Sequence, residues 1–407
     1  MRRRRRWSCS AIKSDLPRSG GQRTKRMWGV RMRHINIPVF IPHLGCPHTC
    51  VFCNQRRISG VSGVDLDSVR DRIDAVLDGI RGREDGYECE IAFFGGSFTG
   101  IPRDELTALL ELARPYVESG RVRSLRCSTR PDYIDEEIID ILIRYRMTTV
   151  ELGVQSTSDE VLCRCERGHT AEQSMRAMRM IKDSGMKAVG QMMTGLPGST
   201  RDSDLQTGRD LVAAKADGVR IYPTMTFAGT ALEGMLRRGE YTPPSAAQTV
   251  DRVADLCELF DRAHIPIIRI GLCYGDGLTG EGGIVAGEYE CAVGEMAQSE
   301  VFMRRLRSLL GSGSGQRDGL SPGAEANGID SSGNNRRGAR HGAELTVVCP
   351  RGRTSQVIGH RRANAEALRR EYGIERLHVL EDASLGGYEI RAVLPEKIKT
   401  DGLKIEN

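Results

Sequence analysis

Three cysteines fall within eight residues of the stretch IPHLGCPHTCVFCNQ, residues 41–55. Cys46, Cys50 and Cys53 have the spacing C-x3-C-x2-C and follow the apolar run INIPVFI. A loop that gathers thiols so closely suits a metal centre. Iron–sulfur clusters are held by cysteine thiolates, usually four per cubane, so three would leave one iron of a four-iron cluster open to another ligand. Zinc is the competing reading. The pair CVFC looks like half a zinc knuckle, and His43 or His48 would complete a tetrahedron. Plain buried thiols account for the residue type but not for the clustering.

Such a loop needs a scaffold, and the scaffold is written as alternation. Strand-like runs occur at INIPVFI (35–41), ECEIAFF (88–94), SLRCST (124–129), TTVELGV (148–154), KAVGQMM (187–193) and GVRIYPT (218–224). Helix-like segments such as DLDSVRDRIDAVLDGI, DELTALLELARPYV and AAQTVDRVADLCELFDRA separate them. Repeated strand–helix–strand units imply a parallel sheet with right-handed crossovers. Six units predict an α/β fold, a partial (β/α)6 TIM-like barrel, with a seventh strand available at IPIIRIGL (265–272). The unusual residues follow the strands: GCPHTCVFC, GGSFTG, STRPD, ELGVQS, TGLPGST and YPTMTFAGT. The carboxyl ends of barrel strands form the active-site face. Six such turns on one rim predict one site.

Composition sets the limits. The 407 residues have 39% hydrophobic content, enough for one large domain and a small one. No apolar run approaches the roughly 18 residues of a membrane helix. The start MRRRRRWSCSAIKSD is basic without an apolar stretch behind it, so no secretory signal is read and a cytoplasmic location is expected. Twelve cysteines in a reducing compartment favour metal or cluster ligation over disulfides. Residues 1–33 read as a disordered basic extension, or as an overcalled start with Met27 or Met32 nearer the true one. Residues 34–310 read as the barrel domain, 311–341 as a Gly- and Ser-rich linker, and 342–407 as a small module. The net charge of +5 permits an acidic partner such as RNA without requiring one.

With its C-x3-C-x2-C loop and Phe52 before the last cysteine, the chain resembles the radical S-adenosylmethionine (SAM) enzymes over roughly residues 34–305. Within that superfamily the words CPHTCVFCNQ, FFGGSFTG, STRPD, VELGVQS, RGHT, GLPGS and YPT followed by GT are most similar to the catalytic subunit of Elongator and its bacterial relatives. Oxygen-independent coproporphyrinogen oxidases share GVQS and GLPG but fit less well at STRPD and VELG. The resemblance implies a 4Fe–4S cluster on Cys46, Cys50 and Cys53, with SAM on the fourth iron. It implies one-electron cleavage of the sulfonium to methionine and a 5′-deoxyadenosyl radical, fed by an external donor such as flavodoxin or ferredoxin. Gly95, Gly96 and Ser97 match the segment that receives the methionine amino group. Gln155 matches a residue near the ribose, Arg167 an arginine that pairs with the methionine carboxylate, and Glu151 a polar residue on the cofactor side. Cys163 and Cys165 read as incidental thiols. Cys89, Cys127, Cys257, Cys273 and Cys291 read as core packing.

Two departures lie on the rim. Relatives often have Glu where Ser128 stands, and an acid or His where Gln191 stands. A third is the tail: Elongator's subunit carries an acetyltransferase domain there, whereas about 65 residues follow the linker here, too few for that fold. The tail ELTVVCPRGRTSQVIGHRRANAEALRREYGIERLHVLE reads strand, short helix, turn, helix, strand. It resembles a minimal KH module, whose GXXG loop clamps an RNA backbone. Here the loop is Gly359-His360-Arg361-Arg362; the second glycine is missing, and Arg361 and Arg362 would meet phosphates instead. A packing or dimerisation domain is the competing reading. Three functions follow: radical SAM chemistry on RNA such as tRNA; the same chemistry on a small molecule such as a porphyrinogen or on a protein; or a non-catalytic RNA-binding protein with a structural or redox-sensing cluster.

Overall fold

The computed structural model describes residues 33–41, 46, 50–53, 65–272, 283–287, 292–311 and 343–393. The expected basic extension and linker lie outside these apart from Arg33 and Gly311 at their borders, and so do His43 and His48. The chain divides into two compact units, Met1–Cys291 and Ala292–Asn407.

The first unit is built on seven parallel strands in sequence order. They are β1 (Arg33–Ile41), β2 (Tyr87–Gly95), β3 (Ser124–Thr129), β4 (Met147–Gln155), β5 (Lys187–Thr194), β6 (Gly218–Pro223) and, after a short β7 (Thr226–Phe227), β8 (Ile267–Ile270). Every neighbouring pair is parallel, as crossover helices require. This is the expected partial barrel, with the seventh strand present. β7 pairs antiparallel with β9 (Ile284–Ala286) beside it.

The strands form because their apolar residues have somewhere to go on one face. In β1, Ile37, Val39 and Ile41 are buried while Phe40 between them is exposed. Helices cover that apolar face. The helix α1 (Leu66–Asp78) starts at Asp65, whose carboxylate accepts from Asp67 N–H. The next, α2 (Arg103–Glu118), buries Leu106, Leu109, Leu110 and Ala113 completely. Each such leucine contributes about 1.5–3 kcal/mol of burial, and Leu109→Ala would cost about 2–5 kcal/mol. α3 (Glu136–Arg144) is capped by Asp135, and α4 (Asp159–Arg164) by Ser158. α5 (Ala171–Asp183), α6 (Arg201–Ala213) and α8 (Ala246–Arg262) each open with a capping box. α7 (Ala231–Arg237) begins at Thr230. No helix among the described residues is long and apolar enough to cross a membrane.

The second unit holds α9 (Val293–Gly311) and the tail elements β10 (Ala343–Pro350), α10 (Thr354–Ile358), α11 (Ala363–Tyr372), β11 (Ile374–Asp382) and β12 (Arg391–Val393). Its sheet has the order β11-β10-β12, parallel on one side and antiparallel on the other. The helix–turn–helix order expected of the tail is present. Asn364 Nδ2 donates to Ser299 O at 2.8 Å and so fastens α11 to α9. The turn between the tail helices depends on Gly359, at φ +88°, where a Cβ would lie 2.5 Å from Asn364 N. Arg361 (φ +51°) and Arg362 (φ +67°) follow in left-handed conformations, which L-residues adopt at a cost of roughly 1–2 kcal/mol each.

Candidate active site

The cysteine loop leaves β1 beside the end of β2. Ile41 is in register with Gly95. Gly95 is at φ +116°, and a Cβ there would lie 2.4 Å from Ile41 O, so only glycine lets the two backbones meet. Two residues on, buried Ser97 places its Oγ 3.2 Å from Cys46 Sγ. Cys50 and Cys53 are joined by a turn, Cys53 N–H to Cys50 O at 2.9 Å. Between them Val51 is clasped on both sides. Its N–H donates to Cys165 O at 3.2 Å, and its carbonyl accepts from Leu232 N–H at 2.7 Å. The Val51 side chain sinks into a cluster with Val161, Cys165, Leu196, Leu232 and Tyr241. Cys165 is therefore a core residue under the loop, its thiol pushed up to about 12 by burial and, secondarily, by the neighbouring Cys50. Cys163 is exposed.

Cys50 is buried, and two guanidinium groups meet it. Arg167 donates from Nη1 to Cys50 Sγ at 3.2 Å, from Nη2 to Gly153 O at 2.6 Å and from Nε to His169 Nε2 at 3.2 Å. An arginine only donates, so His169 must accept at Nε2 and carry its proton on Nδ1, 3.3 Å from Thr170 O. Burial, then the Arg167 charge, holds the His169 imidazole down at about 4, in its neutral form. The second guanidinium is Arg130, whose Nη1 is 3.9 Å from the same sulfur. Asp132 grips Arg130 at Nε (2.9 Å) and Nη2 (3.0 Å), and Nη2 also donates to the Arg167 carbonyl.

The inner face of the sheet is polar. Glu90 accepts from Arg126 Nε at 2.7 Å, and Arg126 Nη1 reaches Glu151 Oε1 at 2.7 Å. Arg220 Nη2 donates to Glu151 Oε1 at 3.0 Å, and its Nε lies 2.8 Å from Oε2, a charge contact outside hydrogen-bond alignment. Gln191 Nε2 donates to Glu151 Oε2 at 2.8 Å and to Ser128 Oγ at 3.3 Å. Glu151 is fully buried with both oxygens engaged. Burial pushes the Glu90 carboxyl up, but His34 and Arg126 outweigh it and bring it to about 2. Gln155, at φ +65°, ends β4. Its Oε1 is buried without a partner, while its Nε2 and Arg167 Nη2 both lie over Gly153, where a Cβ would sit 3.1 and 3.3 Å from them.

The geometry thus gathers the loop cysteines, Gly95, Ser97, Gln155 and Arg167 at the carboxyl ends of β1 to β4. Comparison with known proteins gives the family. The radical SAM superfamily profile matches residues 40–211, and the radical SAM C-terminal domain profile matches residues 216–304. An uncharacterised protein of Methanocaldococcus jannaschii is 30% identical over 239 residues, which cover 56% of this chain and 72% of that protein. The chain belongs to the radical SAM superfamily. The cofactors of this superfamily are a 4Fe–4S cluster and SAM.

Among relatives, the tRNA uridine(34) acetyltransferase of M. jannaschii is 31% identical over 248 residues, 51% of this chain and 46% of the relative. Human Elongator complex protein 3 is 28% identical over 261 residues, 54% and 48% respectively. The radical SAM chain spans about half the length of these relatives. A solved structure of archaeal M. infernus Elp3 shares the fold, with a TM-score of 0.51 at 23% identity over 69% of this chain and 64% of that one.

The residues fit the family's cofactors. Among the described residues no three His, Cys, Asp or Glu side chains already converge as a metal cage. The surroundings of the thiols, however, are those of an anionic centre: a hydroxyl on Cys46 and two cations on Cys50. The orphaned Gln155 oxygen is a polar group waiting for a donor. Arg130 lies in STRPD and His169 in RGHT, yet neither stands out as a site residue in the sequence. The signal for Arg130 was a cation at a strand's carboxyl end, followed by Pro and Asp; nothing in the sequence pointed to His169 as the acceptor behind Arg167.

Proposed function

We propose that this radical SAM protein is an RNA-modifying enzyme with tRNA as its substrate class. Cys46, Cys50 and Cys53 would hold the 4Fe–4S cluster, which when bound supplies one-electron reductive cleavage of SAM. Gly95, Gly96 and Ser97 would receive the methionine amino group, and Gln155 Oε1 would accept from a ribose hydroxyl. Arg167 would bring its charge to the methionine carboxylate while keeping its contact with Cys50. Glu151, held by Arg126 and Arg220, fixes the Gln191 amide that faces the same lumen. The observation that carries the cofactor part is the buried, unpartnered Gln155 oxygen on the rim that bears the cysteine loop.

The RNA part is supported by relatives named for tRNA uridine(34) and by the tail. Arg361 and Arg362 are exposed and make no ion pair among the described residues. We infer that the KH-like module, residues 342–407, offers them to phosphates, and that an external electron donor such as flavodoxin or ferredoxin feeds the cluster. The test is anaerobic reconstitution followed by incubation with SAM, reductant and tRNA. Slow 5′-deoxyadenosine formation without RNA, accelerated by tRNA, is expected. Cleavage without acceleration by tRNA would favour a small-molecule or protein substrate. No cleavage by fully loaded protein would return the chain to a non-catalytic role.

A further inference from the structure

Cys46 and Cys50 have different hydrogen-bond partners. Cys46 faces a neutral hydroxyl, Ser97 Oγ. Cys50 faces two guanidinium groups, Arg167 at 3.2 Å and Arg130 at 3.9 Å. Arg167 belongs to the cofactor reading already given. Arg130 does not, and the way it is held asks for an explanation. Its side chain is 3% exposed. Asp132 fixes the guanidinium plane through Nε and Nη2, and the Arg167 carbonyl takes a further bond from Nη2. Those bonds leave Nη1 as the end that reaches Cys50. A bidentate carboxylate two residues away is a rigid mount, and it sets the guanidinium at a fixed distance from Cys50 Sγ, with the Cys46 thiol also within reach of its charge.

A cation at a fixed distance from a cluster sulfur does one thing to that cluster. One-electron reduction transfers no atom and makes the cluster with its thiolates more negative by one charge. A neighbouring positive charge stabilises that state more than the oxidised one, and hydrogen bonds to the sulfurs and net local charge are what set such potentials. The effect is strengthened by burial, because water does not screen it.

We propose that Arg130 and Asp132 form a positioning pair that sets how easily the cluster on Cys50 accepts its electron from an external one-electron carrier, Arg130 easing reduction and Asp132 moderating it. The inference rests on the cluster reading of Cys46, Cys50 and Cys53. It differs from a purely structural role, in which the pair would only hold the Arg167 backbone in place. A structural role affects loading and stability but leaves the potential of the loaded protein where it was.

The experiment is a redox titration of anaerobically reconstituted protein with dithionite and mediator dyes, without SAM. The reduced cluster is followed by electron paramagnetic resonance, and iron is counted in every sample. At the potential that half-reduces wild type, Arg130→Gln should show a reduced-to-oxidised ratio at least tenfold lower, a downward shift of about 59 mV for one electron. Arg130→Lys, which keeps the charge, should stay within about threefold of wild type. Asp132→Asn keeps the guanidinium and removes the opposing carboxylate, so its ratio should rise. Fully loaded Arg130→Gln and Asp132→Asn that titrate with wild type would overturn the proposal. Should Arg130→Gln fail to take up iron, Asp132→Asn decides alone: a ratio at or below that of wild type overturns the proposal. Wild type without iron–sulfur absorbance would instead overturn the cluster reading itself.

Discussion

Arginines occupy the two candidate contact regions in opposite ways. At the barrel rim and lumen, Arg126, Arg130, Arg167 and Arg220 are largely buried, and each is held by named partners. In the tail, Arg361 and Arg362 are exposed and lack such partners among the described residues, while their backbones are strained. The first arrangement suits a small ligand bound in one orientation, because the donors are set before it arrives. The second suits a polyanion, which needs charge at a surface more than fixed angles. Removing a buried arginine's partner should therefore be felt as lost stability. Removing an exposed arginine should be felt as a changed response to salt.

The largest test asks whether the rim is a cluster site at all. Changing any of Cys46, Cys50 or Cys53 to Ala should abolish the roughly four irons bound on reconstitution. Cys163→Ala should leave them, and Cys165→Ala should cost only stability, on the order of 1 kcal/mol for its small cavity. Stoichiometric zinc in place of iron–sulfur absorbance would break the rim side of the comparison.

Glu151 offers the next effect. Glu151→Leu leaves Arg126 and Arg220 buried without their shared carboxylate, and the loss should be about 3–5 kcal/mol in urea unfolding. A loss under 1 kcal/mol would mean that water reaches the lumen and that its ion pairs behave like surface ones.

Acid should expose the rim next. His169 titrates at about 4 in the folded protein against an ordinary 6.5, so between those values the unfolded chain binds more protons and folding weakens as pH falls. From pH 7 to pH 5 this costs about 2 kcal/mol. His34, raised chiefly by its hydrogen bond to Glu90, works the other way: its contribution is present at low pH and fades as pH rises through its folded value. The His169 part is isolated by comparing wild type with His169→Gln, which keeps an acceptor for Arg167. The variant should lose about 2 kcal/mol less over that range, and parallel pH curves would refute the assignment.

The smallest effect lies in the tail. Changing Arg361 and Arg362 to Gly should raise stability by on the order of 1 kcal/mol, since glycine accepts the left-handed backbone. The same change should flatten the salt dependence of tRNA binding by up to about two units of log–log slope. Greater stability with an unchanged salt curve would favour the packing or dimerisation reading of this module.

Sequence reasoning saw the strands well. SLRCST is β3 residue for residue, and TTVELGV lies within β4 with one residue to spare at each end. Their apolar runs are bounded by turns, and that pattern is local. Cys46, Cys50 and Cys53 were legible for the same reason, as a short spacing. The lumen was not. Glu90, Arg126, Glu151 and Arg220 sit on four strands spread over 130 residues, and each alone looks like a polar residue interrupting a strand. Only register joins them, and register is a property of the sheet. Ser128 and Gln191 stand in the sequence as separate departures from relatives; that they touch each other, and that Gln191 also meets Glu151, follows only from the fold.

The clasp on Val51 gives the site a history. The cysteine loop is made early in synthesis, yet its backbone is seated between Cys165 O and Leu232 N–H. A nascent chain that has not yet extruded residue 232 holds the loop without the second half of its seat. At ribosomal speeds of roughly 5–20 residues per second, the 180 or so residues between them are an interval of about ten to forty seconds. For that interval the loop's carbonyl anchor is missing, and it is set only when α7 docks.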